Sequence, residues 1–320
     1  MFSTKTVSGP ILFLCALLFF FSGLSCAAVV SWPTSVSSGY ADDSSTNVTT
    51  FDVTVKNASR DANTSLNFFA VGDFGVHPDW TSMRYDQQRV ADAMEEVAKN
   101  ILRPDFILST GDNVYPIGLL LDDALTPREQ FAARFDDVYR ADALQVPWLG
   151  CLGNHDCAGS VDAMLACDAN RTGDGNFFMP KRYYSQTVAH GNVKVAMVVL
   201  DGCSLLCGVE DQSTLHTDYR CSGLDIEGSR YEQLSWLNTT LAAAHADPET
   251  DWTFVMGHWP IYSVAGNGHT PELIQHVLPI LQEYEVDAYL CGHDHNLQHL
   301  RPVFVTDTDS DGVVNGSTIE

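Results

Sequence analysis

The chain has 320 residues, of which 45% are hydrophobic and 18% are charged, and its formal net charge is −24. This length is enough for one large α/β domain or two ordinary domains with a substantial core. The acidic balance argues against a nucleic-acid-binding protein, because such proteins need a basic face to neutralise phosphates. The composition therefore predicts a globular protein that stays dispersed in solution.

The N-terminus predicts a secretory signal. Residues 10–24 are nearly all apolar, Lys5 precedes them, and small residues follow at 25–28. Such a stretch is short for a membrane span, so we expect 1–27 to be a cleaved signal peptide, with an uncleaved anchor as the alternative. Sequons for N-glycosylation agree with a secretory route. They begin at Asn47, Asn57, Asn63, Asn170, Asn238 and Asn315.

Seven of the nine cysteines lie beyond the predicted signal. Cys151 and Cys291 fall inside predicted strands and are expected to be buried thiols. The other five lie in predicted loops, where an oxidising compartment favours disulfides. These are Cys157, Cys167, Cys203, Cys207 and Cys221. The pairing cannot be deduced from the sequence, and the odd count leaves at least one thiol free.

The hydrophobic pattern predicts strands that alternate with helices after a polar N-terminal segment. Residues 28–64 are rich in Ser, Thr, Asn and Asp, which predicts a glycosylated, poorly ordered extension before a catalytic domain at 65–320. Alternation of strands and helices predicts a largely parallel sheet that is covered on both faces. Strands are predicted at 66–71, 103–110, 146–152, 182–188, 193–200, 252–256, 288–292 and 300–305, and helices at 85–100, 126–139, 229–245 and 271–284.

Five predicted strands end in glycine followed by a residue of metal-ligand type. The motifs are GDFG at 72–75, GDNVY at 111–115, GNHD at 153–156, GHWP at 257–260 and GHDH at 292–295. Each motif alone is more often a turn or a hydrogen-bonded group than a site. Ligands of α/β folds gather at the carboxyl ends of strands, however, and buried carboxylates and imidazoles that converge without a cation would be costly. The repetition therefore predicts a metal site.

The ligand types indicate which metals to expect. The set contains oxygen and imidazole ligands without thiolate, which favours catalytic iron, manganese or zinc over structural zinc. His293 and His295 alternate along an extended backbone and can face one site. Asp112 can bridge two ions through its two oxygens. Tyr115 as a phenolate ligand would require a strongly acidic ion such as Fe³⁺, and two metals can clamp a phosphoryl group.

In this order the five motifs resemble the signature of purple acid phosphatases, within the calcineurin-like metallophosphoesterase superfamily. The stretches LSWLNTTLAAA and AYLCGHDHNLQ are similar to its small, tartrate-resistant (uteroferrin-like) branch. The resemblance implies an α/β fold, a metallophosphoesterase-type β-sandwich of mixed sheets flanked by helices in four layers, α/β/β/α. That family continues well past the GHDH strand, so the resemblance also implies that the domain lacks closing C-terminal strands.

The resemblance also implies the roles of single residues. Fe³⁺ would be bound by Asp73, Tyr115 and His295, and a divalent ion (Fe²⁺ or Zn²⁺, with Mn²⁺ as a further candidate) by Asn154, His258 and His293, with Asp112 bridging. His155 would contact the substrate beside Asn154 and protonate the leaving group as the catalytic residue; a hydrogen bond that orients a ligand is the alternative. The family's second substrate-contacting histidine aligns with Asn267, and His269 lies two positions later.

The function that follows is hydrolysis of phosphate monoesters at acidic pH by attack of a metal-bound hydroxide. Expected partners are small phosphate esters or phosphoproteins, with no nucleic acid, no membrane after signal cleavage and a monomeric state. The protein would be secreted, lysosomal or vacuolar. Two alternatives remain: a phosphodiesterase or nucleotidase with the same metal site, and a secreted, inactive, truncated glycoprotein. The segment 201–228 takes the place of a loop that restrains activity in the small branch, and a regulatory role for it is a hypothesis.

Overall fold

The computed structural model describes residues 66–169, 175–191, 193–208 and 221–300, and the backbone of three short strands before them. The strands are β1 (Leu12–Cys15), β2 (Ala28–Ser31), β3 (Val53–Thr54), β4 (Asn67–Val71), β5 (Phe106–Ser109), β6 (Trp148–Gly150), β7 (Phe177–Phe178), β8 (Tyr184–His190), β9 (Val193–Val199), β10 (Trp252–Met256), β11 (Ala288–Cys291) and β12 (Gln298–Leu300). The described helices are α1 (Thr81–Asn100), α2 (Pro127–Arg134), α3 (Asn154–Cys157), α4 (Val161–Leu165), α5 (Gly202–Cys207), α6 (Arg230–Ala246), α7 (Pro271–His276) and α8 (Leu278–Glu283), with a 3₁₀ turn at Asp142–Leu144.

The strands form two sheets. The larger has seven strands in the order β12-β1-β11-β10-β9-β8-β3, and the smaller has five in the order β2-β4-β5-β6-β7. The run β9-β10-β11 is parallel, as is the run β4-β5-β6-β7. Strands β8 and β9 pair antiparallel, which confirms the predicted hairpin. The sheets are therefore mixed, and both carry their parallel strands next to connecting helices.

The two sheets pack face to face around the core. Every residue of β4 and β5 is buried, as continuous apolar strands between two covering layers require. Phe68 of the small sheet lies 5.8 Å from Phe254 of the large sheet, measured between ring centroids. The Tyr184 hydroxyl donates across the interface to the carbonyl of Gly150 at 2.9 Å. The predicted β-sandwich flanked by helices is confirmed.

Helices α2 and α6 begin at capping boxes, whereas α1 begins at Thr81, before the predicted start at 85 and without a side-chain cap. Helix α2 starts with a capping box between Thr126 and Glu129, after which proline occupies its first turn. It ends at Arg134, five residues before the predicted end at 139, because the chain continues in turns. Helix α6 starts with a second capping box, between Ser229 and Glu232. None of the described helices is long and apolar enough to cross a membrane.

The predicted N-terminal segments contribute short strands to both sheets. Strand β1, inside the predicted signal, pairs parallel with β11 and antiparallel with β12. Strands β2 and β3, inside the predicted extension, pair with β4 and β8. The remaining residues up to 65 lie outside the described part, and the strand predicted at 300–305 does so apart from Leu300. The domain bounds 1–27, 28–64 and 65–320 stay predictions.

Cysteines form disulfides in a pattern that the sequence left open. Cys157 pairs with Cys203, and Cys207 pairs with Cys221. Cys167 is a buried thiol, contrary to the expectation from its predicted loop; it lies just past the C-cap of α4, and its Sγ faces the carbonyl of Ala163 at 3.4 Å. Cys151 is a buried thiol, as predicted. Cys291 was expected to be a thiol as well, but it is disulfide-bonded.

The segment predicted as a loop at 201–228 begins with a helix. Asp201 caps α5 by accepting from the backbone N–H of Ser204 at 3.1 Å. Residues 209–220 lie outside the described part, so the hypothesis of a regulatory loop is not tested there. The segment is fixed at both ends, by the two disulfides and by Arg182, which contacts Asp201, Asp225 and Glu227.

Candidate metal centre

The five predicted motifs lie together at the carboxyl ends of five strands. The small sheet supplies three of them, after β4, β5 and β6, and the large sheet supplies two, after β10 and β11. Because both sheets direct these strand ends to the same edge, the motifs meet above the seam between the sheets. Seven of the predicted side chains contact one another there through their polar atoms.

One set of contacts joins Asp73, Tyr115 and His295. The Tyr115 hydroxyl lies 3.3 Å from Oδ1 of Asp73 and 3.2 Å from Nε2 of His295. His295 Nε2 is in turn 3.4 Å from Oδ1 of Asp73. The Asp73 side chain is fully buried, whereas 55% of the His295 side chain is exposed. These three side chains are those predicted to bind Fe³⁺, and each contacts the other two.

A second set joins Asn154, His258 and His293. Oδ1 of Asn154 lies 3.1 Å from Nε2 of His258 and 3.0 Å from Nδ1 of His293. The two imidazole rings are 5.1 Å apart and nearly perpendicular, so that both direct a nitrogen at the same oxygen. These are the side chains predicted to bind the divalent ion.

Asp112 belongs to both sets. Its Oδ2 accepts a hydrogen bond from the Tyr115 hydroxyl at 2.9 Å and lies 3.4 Å from Nε2 of His258. Its Oδ1 accepts from the backbone N–H of His155 at 2.8 Å. Asp112 is 2% exposed, and together with Asp73 and His258 it forms a buried group of atoms able to hold a metal ion. Asp112 therefore lies where the predicted bridging ligand would have to lie.

Three of these residues adopt left-handed backbone conformations. The φ angles are 57° at Asp73, 52° at Asp112 and 73° at His293. A side chain with a Cβ disfavours this region, and residues there are usually held by the surrounding fold at functional sites. The conformation turns the chain just after the ends of β4, β5 and β11, where these ligand-type residues lie.

Two glycines allow the motifs to approach each other. A Cβ at Gly153 would overlap Oδ1 of Asp112, and a Cβ at Gly292 would lie 2.5 Å from Oδ2 of Asp73. The backbone N–H of His293, the next residue, donates to both oxygens of Asp73 at 3.2 Å. Glycine before the ligand is therefore needed for space at these two positions as well as for the turn.

The donor set fits a cation. His258 donates from Nδ1 to the carbonyl of Thr110 at 2.8 Å, so the lone pair of the neutral ring lies on Nε2. That nitrogen faces two acceptor oxygens, on Asn154 and Asp112. Acceptors that face one another need a proton or a metal ion between them. Although burial lowers the pKa of His258, the Asp112 and Asp73 carboxylates raise it to about 9, so these carboxylates favour a positive charge at this nitrogen.

The pKa shifts of the neighbouring groups follow from their burial and from the charges beside them. Burial raises the pKa of Asp73, and burial together with the Asp112 and Asp73 charges raises the pKa of the Tyr115 phenol far above its usual value. Burial and the proximity of His258 lower the pKa of His293 to about 3, which leaves its ring neutral and able to bind a metal. A phenolate at Tyr115 would therefore need a strongly charged ion beside it.

His155 lies at the open side of the site. Its side chain is 35% exposed, and its Nε2 is 3.9 Å from Oδ2 of Asp112. Its Nδ1 donates to the carbonyl of Pro116, which fixes the ring and leaves Nε2 directed at the site. The ring also packs on Tyr115, with centroids 4.3 Å apart. This position agrees with the predicted contact with substrate, which stays a prediction.

The two remaining predicted substrate residues differ in their surroundings. Asn267 donates from Nδ2 to the carbonyl of His293 at 3.1 Å, and its backbone N–H donates to Oδ1 of Asp294 at 3.1 Å. The contacts of His269 lie within its own loop: Nδ1 accepts from the N–H of Ser263 at 3.0 Å, and the ring packs on Tyr262. Asn267 is therefore joined to the ligand loop, and His269 is not brought to the ligand set by these contacts.

One residue of the site was missed by the sequence analysis. Asp156 is 1% exposed and accepts from the backbone N–H groups of Asn113, Val114 and Gly153. It also accepts from the Asn113 side chain at 2.8 Å. The carboxylate thus joins the loop that carries Asp112 to the loop that carries Asn154. Its place in the GNHD motif was a signal, but an aspartate there can equally face solvent.

The geometry defines the class of protein, a metallophosphoesterase. Residues 66–297 match the family described as calcineurin-like phosphoesterase. The chain belongs to this family. A solved structure, the GAP50 anchor in the inner membrane complex of Plasmodium, is similar in fold, with a TM-score of 0.53 and 24% identity over 76% of this chain and 69% of that one.

Curated relatives are purple acid phosphatases. The chain is 38% identical to tartrate-resistant acid phosphatase type 5 of Rattus norvegicus over 240 residues, which are 74% of this chain and 68% of the rat protein. It is 38% identical to the Homo sapiens protein of that name over 75% of this chain and 70% of the human one. Purple acid phosphatase 3 of Arabidopsis thaliana is 34% identical over 75% of this chain and 60% of the plant protein. The predicted family, fold class and enzyme class are confirmed.

Proposed function

We propose that this protein is a binuclear-metal acid phosphatase that hydrolyses phosphate monoesters at acidic pH. The observation that supports it most is the pair of ligand sets that share Asp112. Asp73, Tyr115 and His295 would hold Fe³⁺, and Asn154, His258 and His293 would hold Fe²⁺, Zn²⁺ or Mn²⁺. This assignment places the anionic ligands on the trivalent ion and the neutral ones on the divalent ion. When bound, the two cations supply Lewis-acid charge and an activated nucleophile for phosphoryl transfer.

The chain itself orients the ester and supplies a proton. With its Nδ1 hydrogen directed at the carbonyl of Pro116, His155 presents Nε2 to the site. In its protonated form Nε2–H can donate to a phosphate oxygen and then to the oxygen of the leaving alcohol. The proton goes to that oxygen as its bond to phosphorus breaks, and no covalent intermediate with the protein is needed.

The cellular setting belongs to the same proposal. Two disulfides in the described residues support a route through an oxidising compartment, to secretion or to a lysosome or vacuole. The substrates would be small phosphate esters or phosphoproteins, and the protein would act as a monomer. Sequons and the apolar N-terminus support this setting.

A comparison of two substrates tests the function. Purified protein with its metal content measured should hydrolyse p-nitrophenyl phosphate, should lose this activity on metal removal, and should turn over bis-p-nitrophenyl phosphate far more slowly. Preference for the diester would instead favour a phosphodiesterase with the same site. A metal-loaded protein without turnover of either ester would mean that the chain is an inactive glycoprotein.

Replacement of Tyr115 by Phe should remove the colour of the protein. We expect the iron-loaded protein to be purple because a tyrosinate ligand transfers charge to Fe³⁺, and phenylalanine has no oxygen to bind the ion. Visible absorption spectra of both proteins at equal iron content give the measurement. The control is Tyr85→Phe, since the Tyr85 side chain is 67% exposed on α1. A wild-type protein that is active, free of iron and colourless would show that Tyr115 is not a ligand.

A further inference from the structure

Helix α5 is buried along its whole length and is fixed at its start. Asp201 caps it by accepting from the backbone N–H and the hydroxyl of Ser204. The backbone of Asp201 is also joined to α6, since its N–H donates to Oε1 of Gln233 at 2.9 Å and its carbonyl accepts from Nε2 of the same side chain at 3.0 Å. The first turn of α5 is therefore a firm support for the groups that it contacts.

The Cys157–Cys203 disulfide joins α5 to the helix that carries Asn154. Both cysteines are fully buried. Asn154 and Cys157 are the first and last residues of α3, a helix of four residues. The disulfide thus holds the single turn that presents Oδ1 of Asn154 to the rings of His258 and His293. It limits the movement of Asn154 relative to α5.

A second contact joins α5 to the two histidines of the same ligand set. A Cβ at Gly202 would overlap Cε3 of Trp259, so the indole ring lies directly on the first residue of the helix. The same ring contacts the imidazoles of His258 and His293, with centroids 5.2 Å and 5.6 Å away. Glycine at position 202 leaves room for the ring, and α5 thereby reaches both histidines through one side chain.

The ligands predicted for Fe³⁺ are held by other elements. The N–H of Asp73 donates to the carbonyl of Gly111 at 2.9 Å, and the N–H of Tyr115 donates to the carbonyl of Gly75 at 2.8 Å. The carbonyl of Tyr115 accepts from Nε of Arg134 at 3.2 Å. These bonds join the loops after β4 and β5 to each other and to α2. The two ligand sets therefore have different supports.

We propose that α5 positions the ligands of the divalent ion and so sets the affinity for that ion separately from the affinity for Fe³⁺. It acts through the Cys157–Cys203 disulfide and through the packing of Trp259 on its first residue. The inference rests on the proposed binuclear function and assigns both cysteines and Gly202 as positioning residues. A ligand that is already fixed loses less conformational freedom when it binds a cation. Loss of either contact should therefore weaken the divalent site and leave Fe³⁺ bound.

Titration of iron-loaded protein with Zn²⁺ tests the proposal. In Cys157→Ala/Cys203→Ala, the dissociation constant for Zn²⁺ should rise by about tenfold to a hundredfold, the usual effect of losing a group that orients a metal ligand. The iron content and the visible absorption per iron should stay as in the wild type, because Tyr115 keeps its own contacts. Activity should return over the zinc concentrations at which the titration saturates.

Matched variants separate positioning from a general loss of stability. Cys207→Ala/Cys221→Ala removes the disulfide at the other end of α5 and should leave the dissociation constant for Zn²⁺ unchanged. Gly202→Ala keeps both disulfides but forces a Cβ against Trp259, so it should raise the constant as the first cysteine pair does. Its control is Gly266→Ala, where a Cβ meets nothing within 4 Å. Gly202→Ala also provides the test if the cysteine variant does not fold.

The outcomes separate the inference from the function on which it rests. An unchanged dissociation constant for Zn²⁺ in Cys157→Ala/Cys203→Ala and in Gly202→Ala would mean that α5 only stabilises the fold. Equal losses of iron and zinc would contradict separate supports for the two ions. An equal rise in the control without the Cys207–Cys221 disulfide would contradict a specific role of the first disulfide. If the wild type binds only one metal ion, or none, the binuclear phosphatase function itself fails.

Discussion

Asp112→Asn should lower kcat/KM for phosphate monoesters by at least about a thousandfold and should lower the metal content of the protein. Asparagine keeps the shape of the side chain but replaces one oxygen with an NH₂ group and removes the charge. In the native site both oxygens are used, Oδ2 towards Tyr115 and His258 and Oδ1 by the N–H of His155. An NH₂ group directed at either ligand set would repel a cation there.

The measurement combines kinetics with elemental analysis of both metals. Asp79→Asn is a matched control, because it removes the same charge from the segment between the GDFG motif and α1, where the Asp79 side chain is 91% exposed. We expect the control to stay within about twofold of the wild type, as for an exposed charge that is screened by solvent. Retention of both metals and of more than a tenth of the activity in Asp112→Asn would show that Asp112 does not bridge them.

Arg182→Ala should lower the free energy of unfolding by about 3 kcal/mol at pH 7. The Arg182 side chain is 9% exposed and reaches Asp201 at 3.6 Å and Asp225 at 2.6 Å. Asp201 is fully buried, so its carboxylate would lose its cation and keep the hydrogen bonds from Ser204 and from the backbone N–H of Cys203. Removing one partner of a buried pair costs far more than losing a surface ion pair.

The loss of unfolding free energy in Arg182→Ala should depend on pH in a defined direction. Burial raises the pKa of Asp201 in the folded protein, and loss of Arg182 would raise it further. A carboxyl whose folded pKa is raised binds its proton more tightly when folded, so stability falls as the pH rises above the unfolded value of about 3.9 and through the folded pKa. The difference between Arg182→Ala and the wild type should therefore be smaller at pH 4 than at pH 7.

Urea denaturation at both pH values provides the measurement. Arg89→Ala is the matched control, since Arg89 forms an exposed i,i+3 pair with Asp86 on α1 and should change stability by less than about 0.5 kcal/mol. Arg182→Lys should fall between the wild type and Arg182→Ala, because lysine keeps the charge but cannot contact several carboxylates with one planar group. If Arg182→Ala lowers the free energy of unfolding by less than about 1 kcal/mol, Asp201 has found another partner.

The sequence by itself determined the order of the strands that carry the site and the identity of the ligand-type residues. A glycine followed by Asp, Asn or His at a strand end is a local signal, and parallel strands bring their carboxyl ends to one edge. The predicted hairpin and the capping boxes of α2 and α6 are also local features, because they join residues that are close in sequence. The glycine-ligand motifs at the strand ends were therefore enough to predict that these seven side chains lie in one metal centre.

The local pattern did not divide those side chains into two sets; the family resemblance implied the division, and only the tertiary structure supplies the contacts within each set. The division depends on left-handed backbone at Asp73, Asp112 and His293 and on contacts between motifs more than a hundred residues apart, such as His258 with Asn154. The disulfide partners, the thiol at Cys167 and the buried bridge made by Asp156 are decided in the same way. Each results from the packing of two sheets, which no short stretch of sequence encodes, because long-range contacts form only when the whole fold sets their distance.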